Sequence, residues 1–258
     1  MDKYNCKVVS QNILVEGIYS LWVEAAELVK AAHSGQFVSV YTADPSRLLP
    51  RPISICDLDK EKGLLRLVYR VAGEGTRQLS CLEEGDTVDI LGPLGNGYEL
   101  KSETPLLLGG GIGIPPMLRL AKELRESGVS KENLKVVLGY RDEAFLLEDF
   151  QEIATVYITS DTGSIGIKGN VLDGVREHGI STDMIFTCGP TPMLRAIKTY
   201  AEENGIKAQL SLEERMACGV GACLACVCES KDIDDHSKVH NKRICKDGPV
   251  FYSEEVVL

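Results

Sequence analysis

The chain has 258 residues, 44% of them hydrophobic and 26% charged, a mix that excludes a collagen-like or largely disordered protein and a single miniature scaffold. Lys and Arg number 28 against 38 Asp and Glu, a formal net charge of −10, the wrong sign for attraction to polyphosphate backbones or anionic lipid. Nucleic acid and membranes are therefore poor partners.

From about residue 4 to 98, short apolar runs alternate with turn residues, at 7–9, 19–23, 36–41, 53–56, 64–71 and 87–91. That spacing predicts a small antiparallel barrel or sandwich. From Thr104 to about Leu212 the pattern becomes strand then helix. Strand runs at 106–108, 136–138, 156–158 and 184–186 alternate with helical spacing at Met117, Leu120, Ala121 and Leu124, and again at Met193, Ile197 and Tyr200. This predicts a parallel sheet flanked by helices. Residues 213–258 are short, rich in Cys and Gly, and need a staple to fold alone. The expected division is 1–98, 99–212 and 213–258.

The start MDKYNCKVV lacks the basic, apolar and small-residue regions of a secretory signal, and no run of about 18 apolar residues occurs. The expectation is a cytoplasmic protein. Nine cysteines, an odd number, then argue against a disulfide framework. Five of them fall between Cys218 and Cys245. Cys218, Cys223 and Cys226 form C-x4-C-x2-C, and Cys245 follows after 18 residues. This is the ligand spacing of a plant-type [2Fe–2S] cluster, in which two irons each need two thiolates. Gly219 and Gly221 suit the tight loop by permitting positive φ. A structural zinc site is the alternative, but it normally pairs two C-x2-C knuckles, and only Cys223 and Cys226 form one. Cys228 is a fifth thiol, expected to be buried beside the four ligands.

Arg51-Pro52-Ile53-Ser54 begins a strand, and Gly75-Thr76 opens a short helix running to about Leu82. A fixed guanidinium and a helix N-terminus together make a pyrophosphate site. Gly109-Gly110-Gly111-Ile112-Gly113 lies between a strand and a helix, where glycines allow close approach to a pyrophosphate. The third glycine of G-x-G-x-x-G is replaced by Pro116, and Pro115 or Pro116 suits a first helical turn. Cys188-Gly189-Pro190 ends another strand, so both loops are expected at the same carboxyl edge of the sheet. Arg141 and Asp142 follow the second strand of this region. An acid there favours a free ribose hydroxyl and an arginine a 2′-phosphate, so the sequence offers both.

Taken in order, these motifs resemble the ferredoxin-reductase family and, within it, the electron-transfer subunits of class B dihydroorotate dehydrogenases, over nearly the whole chain. The resemblance implies an FAD-binding barrel, with Arg51 to Ser54, Val68-Tyr69-Arg70 and Gly75-Thr76 as FAD contacts. It also implies an NAD-binding domain, with Gly110, Gly111, Gly113, Cys188, Gly189 and Pro190 near the cofactor and the last three bordering the nicotinamide. The implied reaction carries electrons from the FMN of a catalytic subunit through the cluster and FAD to NAD+, in pyrimidine synthesis. The implied assembly is a heterotetramer of two subunits of each kind. The rival within the family is the small subunit of an NADH-dependent ferredoxin:NADP oxidoreductase; outside it, the rival is a zinc-stapled interaction module. His33, His178, His236 and His240 lack metal spacing and are expected on the surface or in loops. Glu202-Glu203 and Glu213-Glu214 read as solvated faces, and Asp232, Asp234 and Asp235 as a polar turn.

Overall fold

The computed structural model describes residues 2–44, 46–235 and 238–258; His236 lies outside them. Six strands make the first unit: β1 (Asp2–Val15), β2 (Ile18–Glu24), β3 (Phe37–Val40), β4 (Arg51–Asp59), β5 (Leu64–Arg70) and β6 (Thr87–Leu94). They close into an antiparallel barrel in the order β1-β2-β5-β4-β3-β6. Alternation drives the closure: Val8, Leu21, Val38, Ile55, Leu65 and Ile90 point inward and are fully buried, each removing roughly 1.5–3 kcal/mol of apolar exposure. Two short helices complete the unit, α1 (Ala26–Ala31) and α2 (Glu74–Leu79).

The second unit is built on a seven-stranded sheet. Its elements are β7 (Pro105–Gly110), α3 (Ile114–Glu126), β8 (Lys135–Tyr140), α4 (Leu147–Ile153), β9 (Thr155–Ser160), β10 (Ile167–Lys168), α5 (Val171–Glu177), β11 (Met184–Cys188), α6 (Thr191–Asn204) and β12 (Lys207–Ser211). The order β10-β9-β8-β7-β11-β12 is parallel throughout. The chain winds outward from β7 to β10 and then returns to β11 on the other side of β7. The switch point therefore falls between β7 and β11, where doubly wound sheets open a crevice for ligands.

The cysteine-rich remainder carries β13 (Val227–Glu229), β14 (Asn241–Arg243) and β15 (Val250–Tyr252). It is more deeply integrated than its composition foretells. β15 pairs antiparallel with β12 and becomes the edge strand of the central sheet. Cys226, Ile244, Cys245, Phe251 and Val256 share one apolar cluster with Phe37 and Leu94 of the barrel, so neighbouring units supply the core that the segment lacks.

The barrel meets α3 through buried charges. Arg119, 2% exposed, sets Nε 3.1 Å from Glu123 Oε1 and NH1 3.8 Å from Asp57 Oδ1 of β4. Glu123 Oε2 accepts from the Ser34 amide at 3.1 Å and its hydroxyl at 2.6 Å. Lys122 pairs with the second Asp57 oxygen. Buried charges are tolerated only when paired in this way. His33, His178 and His240 are exposed, as are Glu202, Glu203, Glu213 and Glu214. No helix among the described residues is long and apolar enough to cross a membrane.

Candidate functional site

The Arg51–Ser54 segment opens β4 and runs antiparallel to β3, with Val40 opposite Arg51, Ser39 opposite Pro52 and Phe37 opposite Ser54. Ile53 turns into the barrel core, whereas Arg51, Pro52 and Ser54 stay half-buried. The Arg51 guanidinium lies across the first turn of α2. A Cβ on Gly75 would fall 2.1 Å from Arg51 Nε and 2.5 Å from its Cζ, so only glycine fits beneath it. Thr76 shapes the entry to that helix: its hydroxyl accepts from the amides of Ala72 at 2.9 Å and Gly73 at 3.2 Å.

Val68 and Tyr69 are 3% and 2% exposed, so their side chains belong to the packing of β5, while Arg70 is exposed. Burial pushes the Tyr69 hydroxyl well above its ordinary range. That hydroxyl donates to Gln11 Oε1 at 2.8 Å, and Gln11 Nε2 donates to the carbonyls of Leu79 and Leu82 at 3.1 and 2.9 Å. Gln11 thus ties β1, β5 and the end of α2 together. No local signal in the sequence marks it, because its partners lie more than fifty residues away.

At the switch point, the 109–113 and 188–190 loops interlock. A Cβ on Gly110 would meet Met193 Sδ at 2.4 Å, one on Gly113 would meet the Cys188 carbonyl oxygen at 2.3 Å, and one on Gly189 would meet Met193 Cε at 2.7 Å. Contact between the loops requires Gly113, where the obstacle is backbone, whereas at Gly110 and Gly189 it is the movable end of Met193. Gly111 differs: it has φ +54°, and the nearest atom to an added Cβ is the Arg70 NH2 at 3.4 Å. It is the glycine of this loop that offers open backbone for a ligand. Pro115 and Pro116 occupy the first turn of α3, where a missing N–H costs nothing.

Burial pushes the Cys188 thiol up to about 12, against a hydrogen bond with Ser211 that lowers it. Beside it, the Tyr98 hydroxyl donates to the Thr187 carbonyl at 3.1 Å. Arg141 and Asp142 pair with each other at 3.4 Å on the exposed end of β8, so the acid answers the arginine's charge.

Two of the cysteines are in direct contact: the Cys218 and Cys223 Sγ atoms are 3.3 Å apart, while Cys226 and Cys245 are both buried. Backbone amides aim at the sulfurs: Val220 and Cys223 donate to Cys218 Sγ at 3.4 Å each, and Gly221 donates to Cys245 Sγ at 3.2 Å. Burial raises the Cys218 thiol, but these amides outweigh it and bring the group to about 6. Gly219 and Gly221 have φ of +68° and +78°, the conformations that let those amides turn inward. A cysteine-rich, amide-lined donor set of this kind fits an iron–sulfur cluster. Cys228 stands aside in β13, its thiol directed at the Lys242 carbonyl at 3.6 Å.

The cysteine loop also touches the barrel. A Cβ on Gly219 would come 3.0 Å from Ser39 Oγ, and Ser39 faces Pro52 across the β3–β4 ladder. Asn96 anchors the far side, donating from Nδ2 to the carbonyls of Lys246 and Asp247 at 3.2 and 3.0 Å. The cysteine loop thus packs against the strand that pairs with the Arg51–Ser54 segment.

Residues 213–257 match the family described as the iron-sulfur cluster binding domain of dihydroorotate dehydrogenase B. Over an alignment of 265 positions covering all of both chains, the sequence is 42% identical to the dihydroorotate dehydrogenase B (NAD(+)) electron transfer subunit of Bacillus cereus (strain B4264). The correspondingly named protein of Bacillus anthracis (strain CDC 684 / NRRL 3495) is 41% identical over the same span. Among solved structures, a chain of the NADH-dependent reduced ferredoxin-NADP oxidoreductase superposes with a TM-score of 0.86 at 32% identity, covering 98% of this chain and 90% of that one. The flavohemoglobin of Malassezia yamatoensis shares the fold over 80% of this chain and 58% of its own, with a TM-score of 0.66 at 22% identity.

Proposed function

Because this chain belongs to the family of dihydroorotate dehydrogenase B electron transfer subunits, we propose that it carries electrons from the FMN of a catalytic subunit, through a [2Fe–2S] cluster and FAD, to NAD+. The family name implies a catalytic partner. We take that partner to be the FMN-bearing dihydroorotate dehydrogenase subunit, assembled two and two in a heterotetramer, with the complex serving pyrimidine (UMP) synthesis in the cytoplasm. Nine free cysteines accord with that compartment.

FAD exchanges a hydride with nicotinamide and single electrons with a cluster, which joins the two kinds of carrier. The chain's own residues bind and orient. In this reading residues 1–98 hold FAD, with the Arg51 guanidinium over Gly75 receiving the pyrophosphate, Thr76 shaping the turn, and Pro52, Ile53, Ser54 and the Val68–Arg70 strand end forming its bed. Residues 99–212 hold NAD, with Gly111 offering backbone and Gly110, Gly113 and the Cys188–Pro190 loop holding the nicotinamide end. Residues 213–258 would hold the cluster, with Cys218, Cys223, Cys226 and Cys245 supplying the four thiolates.

The observation that carries this reading is the meeting of the three parts: Gly219 against Ser39 on one side of the flavin strand, and Arg70 against Gly111 on the other. One-electron and hydride carriers must lie close together, and this arrangement serves that need. The likeness to the NADH-dependent reduced ferredoxin-NADP oxidoreductase favours a second reading, as the small subunit of such an enzyme. The zinc-stapled module gains no support, since the cysteine segment matches an iron–sulfur family.

Anaerobic purification of the chain with its bound partner separates these readings. Flavin and cluster absorption with dihydroorotate-dependent reduction of NAD+ is the expected result. Flavin and cluster absorption with ferredoxin-dependent turnover and no activity on dihydroorotate would transfer the chain to the second reading. A folded, colourless, iron-free protein would overturn both.

A further inference from the structure

Arg243 stands two residues before Cys245 and is only 5% exposed. A buried guanidinium is costly unless its N–H groups are met, and here different parts of the cysteine unit meet them. Nε lies 3.1 Å from Asp247 Oδ2 and NH2 lies 3.3 Å from Asp247 Oδ1. The same NH2 stands 3.8 Å from Asp234 Oδ1. NH1 points the other way and donates to the Gly221 carbonyl at 3.1 Å. Gly221 in turn directs its own amide to Cys245 Sγ at 3.2 Å. It holds this pose at φ +78°, and a Cβ there would fall 2.5 Å from Lys246 Cδ, so the loop is seated directly on the 243–247 turn.

We propose that Arg243 is a positioning residue for the iron–sulfur cluster: it fixes the Gly221 amide on Cys245 and, through its charge, raises the reduction potential of the cluster. This rests on the reading of the four cysteines as cluster ligands. Reduction adds negative charge to a cluster, so an amide hydrogen bond to a ligand sulfur and a nearby cation each favour the reduced form. Asp234 and Asp247 act in the opposite sense. Removing the guanidinium frees the Gly221 carbonyl and leaves two carboxylates without their cation, so both changes push the potential down. Neutralising Asp247 removes an opposing charge and pushes it up.

Neither substitution touches a cysteine. The test is an anaerobic redox titration of the cluster in the intact complex, followed by electron paramagnetic resonance of the reduced form, for Arg243→Gln, Arg243→Lys and Asp247→Asn. The expected midpoint is lower than wild type in Arg243→Gln, restored in Arg243→Lys and higher than wild type in Asp247→Asn. A merely structural role would lower iron content in the variants without shifting the midpoint in opposite directions. Midpoints of Arg243→Gln and Asp247→Asn that stay at the wild-type value, or move the same way, overturn the proposal. Should Arg243→Gln fail to retain iron, Asp247→Asn decides alone, and an unmoved or lowered midpoint rejects it. A wild-type complex without iron overturns the cluster reading itself, a result distinct from a cluster whose midpoint does not respond.

Discussion

The Arg70 guanidinium, at the end of the last flavin-motif strand, stands 3.4 Å from the position a Cβ on Gly111 would take. One residue belongs to the barrel and the other to the 109–113 loop, so the two units approach each other here. Gly111→Ala should hurt the nicotinamide side only. A left-handed φ of +54° costs an alanine roughly 1–2 kcal/mol, and the new methyl narrows the open backbone. The strain should lower fold stability by that amount, and the narrowed backbone should raise the KM for NADH, with FAD content unchanged. Equal loss of FAD would mean that Gly111 serves the flavin site or the fold instead.

Arg51 and Gly75 make a matched pair on the flavin side. A charge-assisted bond from Arg51 is worth about 1.5–3 kcal/mol, so Arg51→Ala should weaken FAD binding roughly tenfold to 150-fold. Gly75→Ala should reach a similar end by another route, since its methyl claims the space now held by Arg51 Nε. Flavin release measured by fluorescence checks both. Undiminished flavin retention in Arg51→Ala would remove the residue from the site.

The barrel and the parallel sheet were legible because each strand shows its period locally: alternating for a sheet with one wet face, continuous for the buried β7 and β8. The cysteine spacing was legible for the same reason. What escaped depends on distant partners. Val250–Tyr252 is a short apolar run with nothing to announce that β12 will be its neighbour. Arg119 and Glu123 are charged residues on a helix, and only the barrel opposite makes them a buried pair. The glycines of the 109–113 loop teach the sharpest lesson. Their spacing suggests room for a pyrophosphate, yet at Gly110 and Gly113 that room is filled by Met193 and the Cys188 carbonyl. A sequence marks where a side chain is forbidden, not what occupies the space.

Arg119→Met tests the joint between barrel and α3. It would leave Glu123 buried with its cation gone and remove a second cation from Asp57, which keeps Lys122, a loss of about 3–5 kcal/mol for a broken buried pair. Trp22, the chain's single tryptophan, lines the groove that also holds Arg119, Asp57 and Lys122. Urea unfolding followed by its fluorescence should therefore show the lost stability. A change below about 1 kcal/mol, the value of an exposed pair, would show that the network is dispensable.

Cys188 makes a prediction in pH. Burial holds its thiol up to about 12, compared with about 8.5 for a free cysteine, so the folded protein keeps it protonated and neutral through the physiological range. Reduction of flavin by NADH should then show no limb near pH 8.5, and Cys188→Ser should leave the shape of the profile intact. Stability carries the opposite signature. The raised group stabilises the fold fully below the unfolded pKa, and that contribution is lost as pH rises towards the folded value, because the unfolded chain releases a proton the folded one retains. A rate limb near pH 8.5 that vanishes in Cys188→Ser would show that the thiolate takes part.

Five thiols crowd the carboxy-terminal segment, and their surroundings divide them. Cys218 and Cys223 lie 3.3 Å apart and the Gly221 amide points at Cys245 Sγ, while Cys228 turns to the Lys242 carbonyl within the β13–β14 ladder. Serine at 218, 223, 226 or 245 should each abolish the visible cluster bands and cut iron from about two per chain. Cys228→Ser should keep both. Iron analysis beside the absorption spectrum reads the difference, and loss of the cluster in Cys228→Ser alone would make it a ligand in place of one of the four.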